Sequence, residues 1–390
     1  MLTASRLCLA RWAVLLFFVY CAGGAAAAPS VVIEASTGRV LHAEDVFVRW
    51  PPASVTKLMT AYVAFREVRD GGLTMQSPVR VSLNAARQPP SHMAYPVGTI
   101  VTLDNALKML IVKSANDIAV AIGESVSGTE EEFVARMNAE AKRIGMTDTR
   151  FANPHGLHSK QQYTTARDLA LLARTILREF PQHAGYFKAE AISTADRTIR
   201  GHNQLLGRFE GANGMKTGYV CEAGFNLAAS ATRQDTTLIA IVLGEFSPNR
   251  RARKTATLLD AGFREFTRKQ DQPLLQTMQK PDGISATPVN MREIVCSKAA
   301  RTARSQEKRG SFGTPLLKAL DRKPIAIAVR TGGAIGSSRS ATMLFGQMVR
   351  AIPAPVQRPE RISLVDEEDR VKYALKPGFD VPVPEPRPET

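Results

Sequence analysis

The spacing of apolar and polar residues predicts two strands, then a helix-rich middle, then strands again. Val31–Ala35 and Arg39–Leu41 flank a glycine-containing turn, as in a β-hairpin. Apolar residues then recur with helical spacing in four stretches, 54–65, 103–126, 130–144 and 165–180. Short strand-like pieces broken by Pro and Gly fill residues 79–103.

The later part of the chain returns to strands and then predicts a closing helix. Residues 237–244 form a continuous apolar run, which suits a sheet strand covered on both faces. Residues 250–263 again have helical spacing. Strands at both ends of a helical middle indicate an α/β sandwich whose sheet joins segments that are distant in sequence.

Beyond residue 265 the pattern loosens into an extension. Residues 298–309 are rich in Lys and Arg, residues 377–390 are acidic and rich in Pro, and 325–329 is a short strand-like piece. We predict a catalytic domain over 28–265 and a mostly disordered extension over 266–390 that contains some local structure.

The composition adds one prediction, which concerns the molecules that the protein binds. The 390 residues are 44% hydrophobic, enough for a sizeable core, and carry a net charge of +15. That charge favours acidic partners such as a wall polymer or anionic lipid, so the basic segment is predicted to contact wall or membrane electrostatically. Few aromatic residues lie in the basic segment, which argues against nucleic acid.

The N-terminus predicts export. Arg6 and Arg11 precede the apolar run 12–20, and small residues follow up to Ala28. This layout is typical of a secretory signal peptide over 1–27, which places the mature chain in the periplasm or at the envelope exterior. An uncleaved N-terminal anchor is the alternative, and membrane attachment stays undecided. Cys221 and Cys296 remain in the mature chain, where no disulfide framework is indicated and their pairing is left open.

Candidate chemistry begins at Ser54 and Lys57. On a helix these two residues share one face, and Pro51-Pro52 suits the start of a helix. A serine hydroxyl needs a base to become a nucleophile, and a desolvated lysine can be that base. A second Ser-x-x-Lys, Ser305 to Lys308, lies in the basic segment, so the pair alone does not define a site.

Two further motifs supply partners for the serine. Ser114-Ala115-Asn116 lies between apolar groups, where a hydroxyl and an amide can relay a proton and hold a substrate amide. Lys216-Thr217-Gly218 precedes a strand-like run, and such a lysine with a neighbouring hydroxyl can bind a carboxylate. Ser82-Leu83-Asn84 and Ser247-Pro248-Asn249 also match Ser-x-Asn, and ordinary turn chemistry is the interpretation for both.

Order and spacing of the three motifs resemble those of the serine D-Ala-D-Ala carboxypeptidases, low-molecular-mass penicillin-binding proteins of the S11 peptidase family. The similarity covers about residues 30–265 and includes 145–149, 151–154 and 163–170. It implies a β-lactamase/transpeptidase-like α/β fold. Such a fold has a mainly antiparallel sheet flanked by helices and a helical subdomain, and here a largely disordered C-terminal tail would follow.

The resemblance implies catalytic roles for three residues. Ser54 would accept the acyl group and Lys57 would be its base, while Ser114 would pass a proton to the departing D-alanine. The implied substrate is the peptidoglycan stem peptide, with β-lactams as covalent inhibitors, and no cofactor or metal is implied.

The resemblance also implies binding roles for the remaining motif residues. Asn116 would hold the substrate amide, Lys216 would support the proton network, and Thr217 would bind the terminal carboxylate. Gly218 would let the substrate backbone approach, and the backbone N–H groups of Ser54 and Tyr219 would form the oxyanion hole. Arg251 lies where the family has an arginine near the carboxylate, although a solvated helix surface is an equal alternative.

Three rival functions remain at this stage. A class A β-lactamase needs a glutamate to activate the deacylating water, and residues 141–177 contain none. A D,D-endopeptidase shares all three motifs and stays open. A wall- or membrane-binding protein, in which the basic extension matters more than the serine, is the third. His155 and His202 are expected near the cleft, and histidine spacing gives no metal motif.

Overall fold

The structure is a computed structural model that describes residues 28–266, 268, 271–307 and 311–335. The predicted signal peptide, 1–27, and residues 336–390 of the predicted extension lie outside the described residues. Strands in this part of the chain are β1 Ser30–Glu34, β2 Val40–Glu44, β3 Pro78–Arg80, β4 Ile100–Thr102, β5 Ala191–Ser193, β6 Thr198–Arg200, β7 Ala212–Val220, β8 Gly224–Arg233, β9 Thr236–Glu245 and β10 Ala326–Ala328. Its α-helices are α1 Lys57–Arg69, α2 Leu83–Ala86, α3 Leu103–Val112, α4 Asn116–Ser127, α5 Glu130–Arg143, α6 Ala166–Glu179, α7 Gly185–Lys188, α8 Pro248–Glu265, α9 Arg292–Cys296 and α10 Lys298–Ser305.

The main sheet joins the two ends of the predicted domain. Its five antiparallel strands lie in the order β2-β1-β9-β8-β7, so the N-terminal hairpin pairs with a strand about 200 residues later. This confirms the predicted hairpin, the antiparallel character and the pairing of distant segments. Strand β7, which carries the Lys216 motif, is at the edge of the sheet.

Strand β9 is covered on both faces, as its continuous apolar run predicts. Leu238 and Ala240 belong to the core beneath α8, with Leu259 of that helix. Ile239 and Ile241 point to the opposite face, where α6 packs and the larger core begins. Successive side chains of β9 therefore pack alternately into two separate apolar cores, one on each face of the sheet.

The helical subdomain corrects one prediction. The single helix predicted over 103–126 is wrong, because α3 ends at Val112 and α4 begins at Asn116. Ser114, between them, has a φ of 63°, a left-handed conformation that no α-helix contains. Apolar periodicity did not reveal the break because both helices are buried on either side of it.

The chain beyond α8 stays attached to the domain over its described length. Strand β10 pairs in parallel with β5, and Cys296 at the end of α9 forms a disulfide with Cys221 after β7. The sequence left this pairing open and did not predict the attachment. Across the described ranges, no helix combines the length and apolarity needed to cross a bilayer.

Candidate active site

Ser54 lies in a tight turn before α1 rather than within the helix. Residues Ala53–Thr56 form a 3-10 turn, and Ala53 has a φ of 48°, a strained value for a residue with a Cβ. Buried Asn226 holds the turn, since its Nδ2 donates to the carbonyls of Pro51 at 3.0 Å and Pro52 at 3.2 Å. No motif marks Asn226 in the sequence, so the residue that supports the Ser54 turn became visible only in the fold.

Two glycines allow this turn to be packed tightly. A Cβ on Gly156, whose φ is +90°, would lie 1.9 Å from the carbonyl oxygen of Ala53. A Cβ on Gly218 would lie 2.9 Å from the carbonyl oxygen of Pro52 and 3.0 Å from the backbone nitrogen of Ser54. Both clashes involve backbone, which cannot move away, so each position requires glycine.

Lys57 is fully buried beside Ser54. Its Nζ lies 3.1 Å from Ser54 Oγ, and it donates to Asn116 Oδ1 at 2.7 Å and to the carbonyl of His155 at 2.6 Å. Burial lowers the pKa of Lys57 well below its ordinary value, and the charge of Lys216 lowers it further, against a smaller opposing effect of Asp117. A neutral amine at this distance can take the proton of the serine hydroxyl.

The break between α3 and α4 places the Ser114-Ala115-Asn116 motif beside Ser54 and Lys57. Left-handed Ser114 presents its hydroxyl to Lys216, whose Nζ donates to Ser114 Oγ at 2.9 Å. Asn116 begins α4, and its Nδ2 donates to the carbonyl of Pro89 at 2.8 Å while its Oδ1 accepts from Lys57. The predicted proximity of the two motifs to Ser54 is thus present in the described geometry.

Lys216 is the second buried lysine of the site. Burial, reinforced by the charge of Arg251, lowers the pKa of Lys216 to about 7. Its Nζ also donates to the carbonyl of Thr217 at 3.0 Å. The amine therefore links edge strand β7 to Ser114, and it changes charge near neutral pH.

A cleft of about 540 Å³ opens over these groups. Every binding residue expected from the motifs lines it, except Lys216, which is buried beneath. The lining comprises Ser54, Pro90, Ser91, Ser114, Asn116, Leu157, Gly201, His202, Gln204, Thr217, Gly218, Tyr219, Val220, Phe225, Pro248 and Arg251.

Arg251 faces the cleft from α8 and is buried, which decides against the solvated-surface alternative. Its guanidinium donates to the carbonyls of Asn226 at 3.3 Å and His202 at 3.0 Å, while Nε has no hydrogen-bond partner among the described residues. Burial lowers the pKa of Arg251 to about 10, so it stays charged at neutral pH.

Positive charge dominates the site. Lys57, Lys216 and Arg251 are buried, and no Asp or Glu appears among the described residues that line the cleft. Asp117 is the nearby carboxylate, and its oxygens are occupied by backbone N–H groups within 3.1 Å. With the Lys57 amine neutral, Arg251 and the protonated form of Lys216 supply the positive charge, which suits an anionic substrate group such as a carboxylate.

Both histidines expected near the cleft lie there. Burial, with the charge of Lys57, lowers the pKa of His155 to about 3, and burial with nearby cations lowers that of His202 to about 4. Each therefore stays neutral, and each contributes its carbonyl, to Lys57 and Arg251 respectively. They support the site through backbone contacts.

The alternative Ser-x-Asn matches have the structural roles expected of them. Ser82 caps α2 by accepting from the N–H of Ala85 at 2.9 Å, and Ser247 caps α8 by accepting from Arg250 at 3.2 Å. Ser305 is exposed at the end of α10, while its partner in the motif, Lys308, lies outside the described residues.

The chain is similar in sequence to known proteins. The family model described as D-alanyl-D-alanine carboxypeptidase, the S11 peptidases, matches residues 22–247. The D-alanyl-D-alanine carboxypeptidase DacF of Bacillus subtilis is 34% identical over 241 residues, 61% of this chain and 62% of the relative. The chain thus matches less than two thirds of that relative's length.

Solved structures give the same result for the fold. The D-alanyl-D-alanine carboxypeptidase DacD from Francisella tularensis superposes with a TM-score of 0.59 at 31% identity, covering 61% of this chain and 70% of that one. Penicillin-binding protein D2 from Listeria monocytogenes, in its ampicillin-bound form, superposes with a TM-score of 0.54 at 27% identity, covering 61% and 97%. The predicted fold class is confirmed.

Proposed function

Because the chain belongs to the D-alanyl-D-alanine carboxypeptidase family, we propose that it removes the terminal D-alanine from peptidoglycan pentapeptides. One observation carries the proposal: buried Lys57 contacts both Ser54 and Asn116, while Lys216 contacts Ser114. The activity would serve peptidoglycan biosynthesis or remodelling, and through it cell shape.

The proposed acylation uses the Ser54–Lys57 pair. Ser54 Oγ attacks the carbonyl of the penultimate D-alanine and its proton passes to the neutral amine of Lys57. Negative charge develops on the carbonyl oxygen, where the N–H groups of Ser54 and Tyr219 stabilise it. The close approach at Gly218 supports this role, because it brings edge strand β7 against the backbone nitrogen of Ser54.

Collapse of the tetrahedral intermediate breaks the peptide bond. The proton that Lys57 took from Ser54 passes through the hydroxyl of Ser114, which Lys216 holds, to the departing amine, so that Lys57 is neutral again. Asn116 holds the amide on the acyl side. Thr217 and Arg251 bind the terminal carboxylate of the leaving D-alanine. Water then hydrolyses the ester on Ser54 and restores the hydroxyl.

We expect the purified mature protein to release D-alanine from a pentapeptide ending in D-Ala-D-Ala. Ser54→Ala is expected to lower that release by at least about 10³-fold, because Ser54 supplies the one hydroxyl that hydrogen-bonds to Lys57 among the residues that the structure describes. Free D-alanine is measured enzymatically, with thermal unfolding as the check on folding. Equal release by the variant would refute the proposal.

Penicillin is expected to acylate Ser54, and the resulting acyl-enzyme is expected to hydrolyse slowly. Its opened ring system stays attached to the acyl group, whereas D-alanine departs, and no carboxylate among the described lining residues can activate water. We expect deacylation at least about 10²-fold slower than peptide turnover. A pulse of labelled penicillin followed by an unlabelled chase measures it. Rapid loss of label would instead favour a β-lactamase.

Export and polymer binding remain part of the proposal. The disulfide Cys221–Cys296 supports an oxidising compartment such as the periplasm or the envelope exterior. Electrostatic contact of the basic segment with wall or membrane stays a prediction. Part of that segment is used within the fold, since Arg304 lies over the rings of Phe225 and Phe246.

A further inference from the structure

A short helical segment beyond the catalytic domain, α9, lies beside the cleft. The matched family region ends at residue 247, whereas α9 spans Arg292–Cys296. Cys296 is joined by the disulfide to Cys221, which directly follows β7. A covalent bond thus connects α9 to the strand that lines the cleft.

Several non-covalent contacts fix α9 at this place. Arg292 pairs with Glu222 in the turn between β7 and β8, with N–O distances of 2.5 and 3.0 Å, and the N–H of Met291 donates to the Glu222 carbonyl at 3.0 Å. Val295 is fully buried. The helix is therefore held along the β7–β8 turn at several points.

Tyr219 connects this attachment to the cleft. Its ring stacks on Phe225 with a centroid distance of 4.2 Å, and its Oη lies 3.1 Å from Cys296 Sγ. The side chain is 41% exposed and lines the cleft together with Val220. The hydroxyl of the ring thus contacts α9, one face lies on Phe225, and the exposed remainder lines the cleft.

The order of residues along β7 gives the direction of a bound peptide. Thr217 lines the cleft with Arg251, where the terminal carboxylate would bind, and Gly218 lies against the nitrogen of Ser54. A peptide extended along this edge strand has its carboxylate near Thr217 and its scissile carbonyl near Gly218. Its acyl side must then pass Tyr219 and Val220.

We propose that the Tyr219 ring forms an acyl-side subsite for the stem peptide, and that Cys296 and α9 are positioning elements that hold this ring. The inference rests on the proposed function, and it assigns to α9 a part in recognising the residues that precede D-Ala-D-Ala. The flat face of the ring suits the aliphatic portion of an extended peptide.

Two substrates of different length test the inference. The pentapeptide reaches the subsite, whereas N-acetyl-D-Ala-D-Ala ends before it. In Cys221→Ser/Cys296→Ser we expect the KM for the pentapeptide to rise about fivefold with kcat within about twofold, the effect of losing one aromatic contact. Kinetics on the short substrate and penicillin acylation are expected to stay at wild-type values.

Three further variants separate positioning from folding. Tyr219→Ala should reproduce the KM effect with the disulfide intact, and Tyr219→Phe, which loses only the Oη contact with Cys296, should show part of it. Glu293→Ala on the exposed face of α9 should match wild type. Equal losses with both substrates and with penicillin would mean a merely structural role and would overturn the inference, as would an unchanged KM. Wild-type protein that cleaves neither substrate would overturn the proposed function itself.

Discussion

Lys57→Met is expected to lower the rate of Ser54 acylation by about 10³-fold, the usual contribution of a positioned general base. The buried amine lies 3.1 Å from Ser54 Oγ, and methionine fills similar space without accepting a proton. The rate constants for penicillin acylation and for D-alanine release both measure the effect.

Folding and general charge are controlled separately. Lys108→Met, on α3, removes a lysine that pairs with Asp104 outside the cleft, and its activity should match wild type. Thermal unfolding checks that Lys57→Met is folded, because the substitution removes the donor to two buried acceptors, Asn116 Oδ1 and the His155 carbonyl. Acylation within tenfold of wild type would mean that another group is the base.

The same prediction has a pH dependence. Since the neutral amine is the base, the acylation rate should rise as pH increases through the pKa of Lys57. The charge of Lys216 lowers that pKa, so Lys216→Gln should move the rise to higher pH. Lys216 has a pKa of about 7, and the difference between the two enzymes should therefore be largest where it is protonated, below that pH. A rise at the same pH in both enzymes would contradict the assignment.

Arg251→Gln is expected to lower kcat/KM for a pentapeptide with a free terminal carboxylate by about 10²-fold, because a buried charge partner of the substrate is lost. The same peptide as a C-terminal carboxamide should be affected by less than about threefold, since it carries no charge to bind. Comparing the two substrates in wild type and variant isolates the contact between Arg251 and the carboxylate.

Arg253→Gln is the matched control, because it removes an exposed arginine from the same helix. Its kinetics should match wild type with both peptides. Equal losses on carboxylate and carboxamide in Arg251→Gln would show that Arg251 only supports the fold through its bonds to Asn226 and His202. A wild-type enzyme that cleaves the carboxamide equally well would favour the endopeptidase alternative, because an internal bond offers no free carboxylate.

The spacing of apolar residues predicted those helices and strands whose buried face is formed by one continuous segment of sequence. Helix α6 follows its predicted span closely, since Thr165 caps it through the N–H of Asp168 and its apolar residues form one stripe. Strand β9 is likewise visible as a continuous apolar run. The break at Ser114 was invisible, because a left-handed residue between two buried helices changes backbone direction without changing composition.

The motifs by themselves indicated the family, which the comparisons confirm, and they predicted the nucleophile, its base and the proton relay. Ser54 and Lys57 are close in sequence, and Ser114 and Lys216 were associated with them by order and resemblance. These residues are defined by chemical type, which a sequence displays directly.

Tertiary structure decided what holds these groups and what surrounds them. Asn226 supports the Ser54 turn from 172 positions away, and Gly156 packs against Ala53 at a distance where no Cβ fits. Burial of Arg251 and the bond between Cys221 and Cys296 also depend on segments that meet only after folding. Desolvation and close packing arise from the assembled surroundings of a residue, so its identity and its neighbours in sequence do not specify them.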